Sequence, residues 1–567
     1  MESYHPLLGP PAAMAGVVDY KGRPITNKRG TGRWVAVFFI LVIEIAERTA
    51  YNGIMFNLIN YMTGHLGMST AAAAANVTVW SGLSSMFPLL GALIADSFLS
   101  RYRTIVYSSL VYISSLGLLA FSAAASHRSH CVTERVYNKT AGYDASCPIT
   151  TFKLVLFYFA LYLAALAQGG HRPCVQAFGA EQFDETDMEE NLWRSSFFNW
   201  WILALTISMS ITPIALSYIQ ENINWSLGFG IPCILFSAAL IVFWMGSSFY
   251  RCQTRQESSP YPQIGRALAT LVKSKLFSHA MSVAGDEKEH YPGSYRPSSR
   301  PETDGVPSAV PVEGMEEAKA LLRLFPIWAS CLGYTLVFCQ WETFFTKQGG
   351  TLERKIGSNF QLPAAGLQSL SHATTVVIIL VYDRIFVPIM RNITGISSGI
   401  TKLQRIGTGL MLSCVMMVIS ALVETKRLET ARKFGLVDAP TSVLPMSILW
   451  LFPQYMIMGV VTVFVVAGMQ EFFFDQVPDA VRSLGICFSI CIFGIGNLIN
   501  SFLVYAIDKT TRGITGESWF SNNLNRAHLD YFYWLIALLS LCSFILYILS
   551  ARTYVHKQKR EINVFVT

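Results

Sequence analysis

The chain is 567 residues long, with 43 Lys and Arg against 36 Asp and Glu and a formal net charge of +7. Hydrophobic residues make up 52% and charged residues 14%, where a soluble domain carries roughly 25% charged residues, and the mean hydropathy is +0.40. A string of soluble domains is therefore excluded, and the basic surplus reads as loop charge beside a bilayer rather than as a nucleic-acid surface.

Residues 1–33 are mostly polar or small and include Lys21, Arg23, Lys28, Arg29 and Arg33. Apolar runs follow at 34–60, 74–98, 103–126, 150–175, 195–218 and 226–247, and again at 320–344, 364–389, 405–424, 444–474, 484–507 and 530–552. A bilayer span needs about 20 such residues. The runs predict an all-α membrane protein with twelve transmembrane helices. Glu44, Glu47 and Arg48 interrupt the first run and no small-residue cleavage site comes next, so a retained span rather than a secretory signal is expected. An even number puts both termini on one side. The basic residues of 1–33, with Arg552, Lys557, Lys559 and Arg560, make that side cytosolic. Short connections at Arg101/Arg103, Arg391/Lys402/Arg405 and Arg482 agree. Residues 425–433, with Lys426, Arg427, Arg432 and Lys433, conflict with it by falling on the expected outer face.

Between the third and fourth runs, Cys131 and Cys147 bracket a polar loop that holds the sequon Asn138-Lys139-Thr140. On an outer face this reads as a disulfide with a glycan acceptor at Asn138; two free thiols and a bare sequon are the alternatives. A Pro-, Ser- and charge-rich stretch at 248–319 reads as a cytosolic linker. It separates six-span halves at 34–247 and 320–552, and 553–567 forms a cytosolic tail. Asp96 with Arg101 and Arg103 closes the second run, and Asp383-Arg384 with Arg391 closes the eighth. This faint repeat suggests duplicated bundles around a central cavity.

Each charge at a span centre costs roughly 2.5–3.5 kcal/mol, so charges inside the runs need a reason. Glu44, Glu47 and Arg48 stand at i, i+3 and i+4, and Tyr51 at i+7 continues the same helix face. Such a stripe can face a water-filled cavity, and two carboxylates beside one guanidinium suit a proton carrier. An interfacial helix with snorkelling charges is the alternative. No nucleophile–base arrangement, P-loop, dinucleotide fingerprint or zinc-like spacing points to an enzyme, cofactor or metal; protons are the expected coupling ion.

Glu44-Ile45-Ala46-Glu47-Arg48 resembles the ExxER motif of the proton-coupled oligopeptide transporters, and Tyr51 and Gly53 continue the pattern. Asp19-Tyr20-Lys21-Gly22-Arg23-Pro24, Phe178-Gly179-Ala180-Glu181-Gln182-Phe183-Asp184, Phe198-Asn199-Trp200-Trp201, Glu471-Phe472-Phe473 with Arg482-Ser483-Leu484-Gly485, and Asn522-Asn523-Leu524-Asn525 with His528-Leu529-Asp530-Tyr531 resemble the plant nitrate/peptide transporter family. Gly169-Gly170-His171-Arg172-Pro173-Cys174 is most similar to its fifth subfamily. The resemblance spans nearly the whole chain. It implies a major-facilitator fold of two six-helix bundles and proton-driven symport.

The resemblance also implies roles. Arg172 stands where the family commonly has a Lys that pairs with the span-one carboxylates. A guanidinium keeps the charge but cannot deprotonate, and snorkelling at the cytosolic end of the fourth run is the plainer reading. Glu471 is expected in the cavity, contacting a cationic substrate group or serving as a coupling carboxylate; Glu342, to which the resemblance gives no role, is either an outer gate residue or a solvated span end. Gly91, Asp96, Arg101 and Arg103 resemble the major-facilitator loop between spans two and three, a breakable clamp or ordinary loop charge. Counted from Pro326-Ile327-Trp328-Ala329, the position at which nitrate carriers of the family can use a His is Phe338. With Tyr51, Trp200, Tyr334 and Trp341, it favours a small organic anion or short peptide, with nitrate as the alternative. A substrate sensor would not need the proton stripe. The expected partners are a small-molecule substrate and membrane lipid, in the plasma or vacuolar membrane, with oligomeric state open.

Overall fold

A computed structural model of the protein describes residues 17–25, 30–97, 99–127, 151–184, 187–253, 322–357, 360–396, 399–476 and 482–566. Cys131, Asn138 and Cys147 lie outside the described residues, as does the linker from residue 254 onward.

The first half contains α1 (Arg33–Met55), α2 (Thr70–Ser97), α3 (Arg101–His127), α4 (Thr151–Ala180), α5 (Met188–Asn222) and α6 (Trp225–Met245). The second contains α7, bent by 43° between Leu322–Ser330 and Leu332–Gly350, then α8 (Ala364–Thr394) and α9 (Lys402–Lys433). Helices α10 (Phe452–Asp475), α11 (Arg482–Thr515) and α12 (Leu529–Val566) complete it. Among the described residues, nine of these helices are long and apolar enough to cross a membrane, ten with the bent pair. Helix α1 falls outside that set because Glu44, Glu47 and Arg48 sit in its middle.

The helices overrun the apolar runs, and two of the extensions change a reading. Helix α4 continues to Ala180, so Arg172 stands eight residues, about 12 Å at 1.5 Å per residue, before its end rather than at it. Helix α9 continues to Lys433, so residues 425–433 are helix and not loop. There Arg427, fully buried, donates to both oxygens of the buried Glu424 at 2.6 and 2.8 Å, to Asn525 Oδ1 at 2.9 Å and to the Leu524 carbonyl at 2.6 Å. Gln348 donates to Glu424 at 2.8 Å. Arg427 thus drops out of the conflict with the charge rule because its charge is neutralised inside the protein, while Lys426, Arg432 and Lys433 stay exposed and keep it.

Short strands tie the ends. Strand β1 (Val17–Val18) pairs antiparallel with β2 (Cys252–Gln253), which places the start of the described chain beside the end of α6. We name this face, which also carries the end of α12, the terminal face, and the opposite one the distal face. On the terminal face Glu190 is buried and accepts from Arg33 Nε, Arg251 Nη1 and the Asp184 amide at 2.7, 2.7 and 2.8 Å. Burial alone raises a carboxyl pKa, but these three donors hold Glu190 below the usual carboxylate range. Gln182 donates to the carbonyls of Phe178 and Arg251 and accepts from the Arg251 amide. The Phe178–Asp184 motif is thus a fastener for the ends of α4, α5 and α6.

The two halves meet at named points. Helices α2 and α11 cross at Gly82, where an added Cβ would stand 2.9 Å from the Gly494 carbonyl oxygen. Lys347 Nζ donates to Thr63 Oγ1 at 2.8 Å, Arg354 pairs with Glu221 at 2.8 Å, and the Thr70 amide donates to Asn522 Oδ1 at 3.0 Å. These three lie toward the distal face. The named ion pairs of the terminal face stay inside one half: Arg101 with Glu181, Arg33 and Arg251 with Glu190, and Lys402 and Arg405 with Glu471.

Candidate functional site

Helix α1 places its charged stripe against α4. Glu44 and Glu47 are 1% and 0% exposed. Arg48 Nε donates to Glu44 Oε1 at 2.8 Å and stands 3.5 Å from Glu47 Oε2. From α4, Gln168 donates to Glu47 Oε1 at 2.9 Å, and Arg172 Nε stands 3.7 Å from the same oxygen. The Arg172 guanidinium lies 4.2 Å from the centroid of the Tyr51 ring, which stacks on Trp80 of α2. The expected pairing of Arg172 with the span-one carboxylates is therefore present in the structure.

The local sequence explains why α4 comes so close. Gly91 of α2 packs directly on the backbone of Gly169 and Gly170, where any Cβ would collide with the Gly169 carbonyl. Trp80 Nε1 donates to the Leu161 carbonyl at 2.8 Å and fixes the same pair of helices. His171, next to Arg172, was not singled out from the sequence. It is fully buried, with Nδ1 4.0 Å from Glu44 Oε2.

Glu44, Glu47 and His171 bring ligand-type atoms within 4.8 Å of one another. Two guanidiniums already answer the carboxylates, so adding a divalent cation would bring positive charge against positive charge. The set suits protons rather than a metal.

On the second half, Glu342 is 4% exposed and accepts from Ser81 Oγ at 3.3 Å, while its Oε2 has no hydrogen-bond partner. The seventh apolar run ends at residue 344, but α7 continues to Gly350. Glu342 is therefore a buried carboxylate at the contact between halves and not a solvated span end. Phe338 is half-buried among Tyr334, Trp341 and Phe493, with ring centroids 6.2, 5.3 and 5.3 Å away. Trp341 in turn meets Phe56 of the first half.

Three expectations need correction. Glu471 is half-exposed and bonded to Lys402 and Arg405 at 3.4 and 3.1 Å, with Lys402 also on Asp475. Its charge is balanced by two cations, so it is not a free anionic contact for a cationic ligand. Tyr334 is fully buried behind Phe338 and offers no surface to a cavity. Trp200 is exposed on α5 eight residues before Ser208, which contacts Thr49 of α1; that is about 12 Å along the helix, so it does not join the cluster. Of the clamp residues, Arg101 pairs with Glu181, Arg103 is exposed, and the Asp96 side chain lies outside the described residues.

A pair of six-helix bundles meeting around buried, mutually compensating charges defines a secondary transporter of the major-facilitator type. The POT family pattern matches residues 102–520. The chain is 48% identical to the Arabidopsis thaliana protein NRT1/PTR FAMILY 5.10, over 96% of this chain and 97% of that one. It is 44% identical to NRT1/PTR FAMILY 5.13 of the same plant, over 95% and 96%. Among solved structures it resembles the POT family transporter PepTSo, with a TM-score of 0.68 at 19% identity over 92% of this chain and 98% of that one. The protein belongs to the POT family, a family of proton-coupled membrane transporters and not of enzymes.

Proposed function

We propose that the protein is a proton-coupled symporter of a small organic anion or short peptide, with Glu44, Glu47, Arg48 and Arg172 as its coupling cluster. The observation that carries this is two buried carboxylates on α1 answered by guanidiniums from α1 and α4, with a third buried carboxylate, Glu342, on the facing half. Loading the carboxylates with protons breaks the charge balance that holds α1 to α4 and loosens the Ser81–Glu342 contact between halves. Substrate and proton movement are thereby linked through the same helices. Tyr51 and Phe338 supply aromatic surface for an organic ligand, and Phe338 in place of a histidine speaks against nitrate bound in that manner.

The termini face the cytosol in this reading. Among the described residues, the named hydrogen bonds and ion pair between halves, Lys347–Thr63, Arg354–Glu221 and Thr70–Asn522, lie toward the distal face, which fits a cavity open to the cytosol. A Cys131–Cys147 disulfide in an outer loop carries the same orientation: non-reducing mass spectrometry should find the two peptides linked, and two free thiols in protein purified without reductant would oppose it. Uptake by proteoliposomes of nitrate, dipeptides and plant hormones, with and without an inward proton gradient, tests the function. Uptake of an organic solute that collapses with the gradient supports the proposal; nitrate alone as substrate rejects the substrate class, and gradient-independent uptake rejects the coupling.

A further inference from the structure

The cluster between α1 and α4 contains one titratable group that the account above does not use. His171 and Arg172 are consecutive on α4, yet both reach α1: Arg172 stands 3.7 Å from Glu47 and His171 stands 4.0 Å from Glu44. Each carboxylate has one hydrogen-bonded oxygen, Glu47 Oε1 from Gln168 and Glu44 Oε1 from Arg48, while Arg48 and Arg172 also stand beside Glu47 as ion pairs. Glu44 Oε2, His171 Nδ1 and His171 Nε2 are all buried without a hydrogen-bond partner. Glu47 Oε2, Gln168 Oε1 and Arg172 Nε are orphaned beside them, and such a concentration of unpaired polar atoms is rare in a native interior. They are explained if a proton moves among them and the structure captures the unbonded state.

We propose that His171 is a proton-accepting member of the coupling cluster and shares its proton with Glu44 Oε2. The charged groups facing it act in both directions: the Glu44 and Glu47 carboxylates draw a proton to the imidazole, and the Arg48 and Arg172 guanidiniums oppose it. With the imidazole neutral, Glu44 and Glu47 balance Arg48 and Arg172. The guanidiniums stay protonated throughout, so charge changes fall to Glu44, Glu47 and His171. Gln168 on its own helix carries no charge, Phe236 of α6 presents a ring 5.6 Å from the imidazole, and the Tyr112 phenol of α3 is within electrostatic range of Glu47, Arg48 and Arg172. A gap of 4.0 Å is beyond a hydrogen bond and closes with a side-chain movement of about 1 Å. When it closes, the imidazolium N–H donates to Glu44, and transfer to Oε2 leaves a neutral imidazole and a neutral acid. Arg48 and Arg172 are 16% and 21% exposed while His171 and Glu44 are essentially unexposed, which puts the shared proton one layer behind the two guanidiniums. Arg172, which cannot release a proton, then holds the charge balance while His171 does the exchanging.

The inference rests on the reading of this cluster as the proton site, and its test requires no substrate. The probe is the proton itself, followed by histidine-selective carbon-13 NMR of the full-length protein in lipid nanodiscs. The chain has ten histidines. His171→Gln identifies the resonance, and His171→Phe, which keeps a ring packed on Phe236, does so should the first variant not fold. The expected result is a His171 resonance that changes protonation on acidification from about pH 8 to about pH 4, since burial disfavours the imidazolium, and whose midpoint shifts in Glu44→Gln. A resonance that keeps one form across that range, or whose midpoint Glu44→Gln leaves in place, overturns the proposal. Loss of the titration leaves symport standing, whereas gradient-independent uptake by the wild type removes the symport reading and leaves the titration in place.

Discussion

Replacing Arg172 tests the contact between α1 and α4. At 3.7 Å from Glu47 Oε1, the pair gains about 4–5 kcal/mol at an effective dielectric of about 20, and the guanidinium over Tyr51 adds about 1 kcal/mol. Two features reduce the loss on truncation. The side chain is 21% exposed, and Glu47 keeps its bond from Gln168 and the neighbouring Arg48. Arg172→Ala should therefore cost about 3 kcal/mol, the low end for stranding a buried charge, or roughly a hundredfold in any equilibrium that depends on the pair. Arg172→Lys keeps the charge and loses only the planar stacking, so it should retain most of the activity. The assay is initial uptake under an inward proton gradient, normalised to protein in the membrane. Near-normal uptake by Arg172→Ala would show that the pair is incidental and refute the reasoning.

Two further substitutions test other buried charges. Glu190→Gln leaves Arg33 and Arg251 without their carboxylate and should lower the thermal midpoint by an amount worth about 3–5 kcal/mol. Because the folded pKa of Glu190 is depressed, its stabilisation is complete above the unfolded value of about 4.3 and lost as pH falls below it. The gap between wild type and variant should narrow on acidification, and a gap that widens would contradict the assignment. Arg427→Met alone strands Glu424 and should cost about 3–5 kcal/mol, while Glu424→Leu with Arg427→Met should recover most of it. Thermal unfolding of the three proteins distinguishes this from an additive result.

The α1 stripe is legible in the sequence because i, i+3 and i+4 spacing displays three charges within an otherwise apolar run, and that pattern needs no knowledge of tertiary structure. Arg172 is legible only through the resemblance, since its distance to Glu47 depends on how Gly91 seats α4. His171 escapes because a single histidine in an apolar helix is ordinarily packing; its signal is adjacency to a residue already assigned to the cluster. The solvated-end reading of Glu342 fails because hydropathy ends the seventh run at residue 344 whereas α7 continues to Gly350. Arg427 is misread for the same reason: its i, i+3 partner Glu424 closed a predicted span and Arg427 opened a predicted loop. Glu471 is over-read, because Lys402 and Arg405 are 69 and 66 residues away and nothing local announces that they meet it. Glu190 is silent in the sequence, as its partners Arg33 and Arg251 lie 157 and 61 residues away.

The central claim is that a proton on the α1 carboxylates drives transport. It is tested most directly by gradient-driven uptake through Glu47→Gln, a change that removes an acid with little change in volume. Glu47→Gln should reach the membrane folded and fail to concentrate the substrate that the wild type accumulates. Undiminished concentrative uptake by that variant under an inward proton gradient would contradict the account.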